Sequence, residues 1–151
     1  MEVDIRFVAI EQIDERIARG HEILCWALKF GTALYDPNHY WDHLQESWNN
    51  RIPLPSAIEA RDRGQQALLR AAEMLQIGDE SAADDLILAA LTQFARKRLI
   101  ENRLFPASRP ELPEQLRIID ESDPLAKLLD DAMYGDPTPG DVIGALNEMQ
   151  L

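Results

Sequence analysis

From residue 10 onward the apolar positions recur every three or four residues, the period of helices packed on one face. Residues 2–9 differ. Val3, Ile5 and Phe7 alternate with Asp4 and Arg6, the period of a half-buried strand. The helical stretches then follow in order. Glu11 to Arg19 forms a short charged helix closed by Gly20. His21 to about Leu34 carries Ile23, Trp26, Ala27 and Phe30 on one stripe, with Gly31 loosening its end and Asp36-Pro37 stopping it. Asn38 is the expected cap of a helix to about Asn50, and Pro53 and Pro55 punctuate the loop beyond. Ser56 opens a long helix ending near Gly78, with Leu68, Ala71, Ala72 and Leu75 on one face. Asp79-Glu80-Ser81 opens a second, to about Asn102, with Ile87, Leu91 and Phe94 as its inner stripe. The very short loop between them predicts antiparallel packing. Shorter helices are expected over 111–119, from Pro124 to Met133, and from a cap at Asp141 to about Gln150. These elements predict an all-α fold: an antiparallel four-helix up-and-down bundle with extra short helices and one short N-terminal strand.

Composition narrows the function classes. The 151 residues suit one domain with a sizeable core, and 46% hydrophobic residues favour folding over disorder. The net charge of −12 argues against nonspecific nucleic-acid binding. Residues 111–151 carry −8 of it and residues 1–110 only −4. That acidic quarter reads as a solubilising surface or as a face for a basic partner. Cys25 is the only cysteine, which fits a reducing cytoplasm, and its apolar neighbours mark it as a core thiol. The sequence shows no signal peptide, and no apolar run approaches the roughly 18 residues that a membrane span needs.

Three groups of residues could carry chemistry. Arg98 falls on the apolar stripe of the second long helix, one turn beyond Phe94. A buried guanidinium needs a partner, so Arg98 meets a carboxylate inside the bundle or faces a cleft. With Arg96, Lys97, Arg103 and Arg109 it forms the dense basic cluster of an acidic chain. Favourable charge at a helix C-terminus, a nucleotide or phosphate contact through Arg98, Arg103 and Arg109, and pairing with the acidic C-terminal quarter all account for it. His39 and His43 have the i, i+4 spacing that can hold zinc, but Tyr40 stands where a zincin has Glu and no third ligand is evident. Neither a metal nor a cofactor is expected. Trp26, Phe30, Tyr35, Tyr40, Trp41 and Trp48 hold six of the ten aromatics within 23 residues. They form core, a dimer interface or a pocket wall. The chain has no glycine-rich phosphate loop.

Two segments carry a resemblance. Trp26-Ala-Leu-Lys-Phe30-Gly-Thr-Ala-Leu34-Tyr35-Asp36-Pro37 and Pro106-Ala-Ser-Arg109-Pro110-Glu-Leu-Pro113-Glu-Gln-Leu116 resemble the helical, HEPN-like substrate-binding half of small prokaryotic nucleotidyltransferase proteins. The likeness spans about residues 2–120. It implies that residues 1–9 are the strand remnant of a nucleotidyltransferase-like domain and residues 10–151 the helical bundle domain, with the catalytic front missing. It further implies that Asp4 matches the third metal-binding carboxylate of that family. Two divalent ions on a triphosphate need three carboxylates. The Gly-Ser and Asp-x-Asp motifs that would complete the set are absent, so Asp4 is vestigial in this reading. Read by itself, Asp4 is a solvent-facing residue of an edge strand. HEPN-type ribonucleases carry an Arg followed after four to six residues by His, and no His occurs here after His43. The expectation is therefore a non-catalytic, cytoplasmic substrate-binding or partner module of a two-component nucleotidyltransferase system. Its expected associations are a homodimer, a minimal nucleotidyltransferase subunit and a nucleotide. A degenerate ribonuclease toxin using Arg98 and Arg103, and a dimeric scaffold with no ligand, are the alternatives.

Overall fold

The computed structural model describes residues 7–135 and 137–149, and these contain eight α-helices and no strand. All-α is therefore the fold class. The expected N-terminal strand lies mostly outside the described residues; its last part, residues 7–9, has no regular structure. The chain divides into two compact units, Met1–Pro55 and Ser56–Leu151. The division follows the Pro53/Pro55 stretch, and the expected boundary after residue 9 falls within the first unit.

The first unit contains α1 (Ile10–Ala18), α2 (Glu22–Phe30) and α3 (Tyr40–Trp48), with α2 packed against both others. Its buried side chains are few: Ile17, Cys25, Leu28 and Leu44. The stripe that the sequence suggests for α2 is not its most buried face. Cys25 and Leu28 point inward, whereas Ile23 and Phe30 are exposed. The helix is apolar nearly all round, so periodicity cannot tell which side meets the core. It also stops at Phe30, short of the expected Leu34, because Gly31 turns extended at ψ 154°. Gln45 holds this end from α3, its side-chain amide donating to the carbonyls of Leu28 at 3.0 Å and Gly31 at 3.4 Å. The N-cap position of α3 is His39, not Asn38, and Asp36 supplies the capping side chain. Its carboxylate accepts from the Tyr40 and Trp41 backbone N–H groups at 3.0 and 2.7 Å.

The second unit is built on a helical hairpin. Ser56 caps α4 (Ala57–Gln76) by accepting from the Glu59 N–H at 3.2 Å, and Asp79 caps α5 (Glu80–Glu101) by accepting from Ala82 at 3.1 Å. Between them Gly78 takes φ +80°, so the Gly78 N–H reaches the Leu75 carbonyl and the Asp79 N–H reaches Met74. This reversed turn closes α4 and folds α5 back on it. Gly64 of α4 lies against the Phe94 ring of α5; a Cβ there would sit 2.8 Å from a ring carbon.

A single 3-10 turn at Arg109–Glu111 leads into α6 (Leu112–Ile119), followed by α7 (Pro124–Tyr134) and α8 (Pro139–Glu148). All three pack on α5. The result is one core around Ile87, Leu91, Phe94, Leu116, Leu125 and Leu129. The inner stripe expected for α5 is buried throughout. Gln115 fixes the proline-rich approach to α6: its side chain accepts from the Ala107 N–H at 2.9 Å and donates to the Phe105 carbonyl at 3.1 Å. Thr138, rather than the expected Asp141, caps α8, with Pro139 at the first helical position where no N–H is needed.

Candidate functional site

The basic cluster gathers at the C-terminal end of α5, and the structure resolves what Arg98 does there. Its Nε stands 3.1 Å from Oδ2 of Asp123, whose side chain is fully buried. The approach is that of an ion pair; Oδ2 receives no aligned N–H. The other oxygen, Oδ1, accepts from the Leu125 N–H at 2.9 Å and so caps α7. One buried carboxylate thus begins a helix and compensates a cation on the neighbouring one. Arg98 keeps 32% of its side chain exposed, so the burial cost falls mainly on Asp123. Of the two sequence alternatives for Arg98, a buried carboxylate is what the fold supplies, and it comes from the acidic C-terminal quarter.

A second acid stands beside this pair. Asp120 accepts from the Ser122 backbone N–H at 3.0 Å and from its hydroxyl at 2.9 Å. The backbone bond, then the hydroxyl bond, and less strongly the Arg98 charge, hold its carboxyl below the usual carboxylate range. Arg98 is ion-paired with Asp123 and also senses the Asp120 charge. Its charge is largely matched before any anion arrives, which weakens it as a phosphate contact.

The neighbouring cations are arranged differently. Lys97 pairs with Glu101 at 3.5 Å. Arg103 is exposed and has φ +60°. Its N–H reaches the Ile100 carbonyl, and the Leu104 N–H reaches Leu99, closing α5 in the pattern that Gly78 closes α4. Arg109 is exposed in the 3-10 turn. Arg103 and Arg109 present open guanidinium groups; Arg98 is the pinned member.

The six singled-out aromatics all belong to the first unit and Arg98 to the second. The Trp26 and Phe30 rings meet at 5.7 Å between centroids, tilted 48° to one another. Trp48 donates its indole N–H to Asp14 at 2.7 Å and carries the Arg51 guanidinium on its face at 5.3 Å. It ties α3 to α1. Tyr40 and Trp41 are half-buried; the Trp41 indole N–H is buried and makes no hydrogen bond among the described residues. Burial, then the charges of Asp14 and Glu11, push the Tyr40 hydroxyl above its ordinary pKa. Tyr35 is the most exposed of the six, at 87%, and Leu34 beside it is fully exposed. Both lie in the loop between Gly31 and Asp36, whose two ends are fastened by Gln45 and by the Asp36 cap. A leucine and a tyrosine are thus held out in water by a loop tied at both ends.

The remaining candidates are quickly placed. Asp4 lies outside the described residues. His39 turns to Asp42 at 3.2 Å and His43 to Glu46 at 3.9 Å, so each histidine has its own carboxylate. Among the described residues no group of three or more His, Cys, Asp or Glu side chains is arranged to hold a metal ion, and no helix is long and apolar enough to cross a membrane. Cys25 is buried, its thiol near the Ile17 carbonyl at 3.7 Å, and burial pushes its pKa up.

Sequence reasoning missed Asp123. The signal was present as Ser122-Asp123-Pro124 ahead of an apolar run, the pattern of a capped helix with proline at its first position. It missed Asp36 in the same way, reading Asp-Pro only as a stop when the aspartate side chain also bonds the first N–H groups of the next helix. No protein-family model, curated protein or solved structure matches this chain.

Proposed function

We propose that the chain is a non-catalytic helical partner module, and that its partner is the minimal nucleotidyltransferase subunit implied by the resemblance of its Trp26–Pro37 and Pro106–Leu116 segments. One observation carries this reading. The first of those segments gives Cys25's neighbour Leu28 to its own core, yet holds Leu34 and Tyr35 out in solvent. A fully exposed leucine beside an exposed tyrosine has no folding role, whereas rigid aromatic and aliphatic anchors are what a protein interface uses. Pre-fastening the loop lowers the entropy lost on docking. An up-and-down four-helix bundle belongs to the same proposal; the α4–α5 hairpin supports it. So does a nucleotide contact through Arg103 and Arg109, the two guanidinium groups open to solvent.

The test is to mix the purified chain with a candidate minimal nucleotidyltransferase subunit and follow the mixture by sedimentation velocity. A stable complex is expected. Leu34→Asp and Tyr35→Asp are expected to abolish it while leaving the helical circular dichroism unchanged. No complex with the unmodified chain, or a complex indifferent to both substitutions, overturns the reading. A degenerate ribonuclease would instead cleave cellular RNA in an Arg98-dependent manner, and a ligand-free scaffold would show neither property.

A further inference from the structure

We draw no further inference here: the strongest candidate, the apolar outer stripe of α2 formed by Ile23, Trp26 and Phe30, leads directly into the Leu34–Tyr35 surface already described, the Glu22 and Lys29 charges at its two ends are those that any helix favours there, and nothing in the structure shows what covers it.

Discussion

The contact between Gly64 and Phe94 offers a sharp test of the packing of the second unit. Gly64 sits in the interior of α4, where alanine should be the better helix former by about 1 kcal/mol. A Cβ at this position would meet Phe94 Cε1 at 2.8 Å, Cδ1 at 3.0 Å and Cζ at 3.1 Å. Carbon atoms prefer separations of roughly 3.5–4.0 Å, so three ring atoms are overrun at once. Phe94 is 1% exposed and lies inside the main core, leaving the ring little room to retreat. Overpacking of this kind costs about 1–3 kcal/mol. Set against the propensity gain, Gly64→Ala should destabilise the protein by roughly 1 kcal/mol net.

The assay is urea unfolding followed by far-ultraviolet circular dichroism. Tryptophan fluorescence would not serve, because Trp26, Trp41 and Trp48 all lie in the first unit. The midpoint should fall with little change in slope. A second background isolates the cause. Phe94→Leu removes the ring atoms that clash, so Gly64→Ala made in that background should stabilise by about 1 kcal/mol. The coupling between the two positions should then be about 2 kcal/mol, within the range for residues in contact. If Gly64→Ala raises the midpoint with Phe94 intact, α4 and α5 are not as close as described and the packing argument fails.

Further predictions concern the α5 end. Arg103→Gly should raise stability by up to about 1 kcal/mol, because glycine takes the left-handed conformation without the Cβ penalty that arginine bears; a fall in the urea midpoint would show that the arginine side chain contributes more than its backbone costs. Asp123→Ala should cost about 2–3 kcal/mol, through loss of the α7 cap and of the carboxylate facing Arg98, whereas Asp123→Asn keeps a capping oxygen and should cost less; equal losses in thermal melts would mean that the cap contributes nothing separate. Asp120 titrates below its unfolded value, so its contribution is present above the ordinary carboxylate pKa and disappears as pH falls through the folded one. Ser122→Ala removes one of its hydrogen bonds, so the gap in melting temperature between variant and parent should be widest at neutral pH and close on acidification; a gap that is flat with pH refutes this.

The sequence by itself determined the helices and most of their ends. Ser56, Asp79 and Gly78 act through local backbone geometry, and local geometry is written in neighbouring residues. The buried stripe of α5 was equally legible, since Ile87, Leu91 and Phe94 are apolar among polar neighbours. The face of α2 was not: a helix apolar nearly all round has no clear orientation until α1 and α3 pack on it. The identity of Arg98's partner was also undetermined, because Asp123 lies 25 positions away and many acids compete for the role. Only the folding of α7 against α5 brings that one carboxylate, already committed to a helix start, to 3.1 Å. The same holds for the loop at Leu34 and Tyr35, whose exposure follows from Gln45 and Asp36 fastening its ends rather than from its own composition. Periodicity reports which residues seek a core; which residues the finished core leaves outside is decided by the tertiary fit.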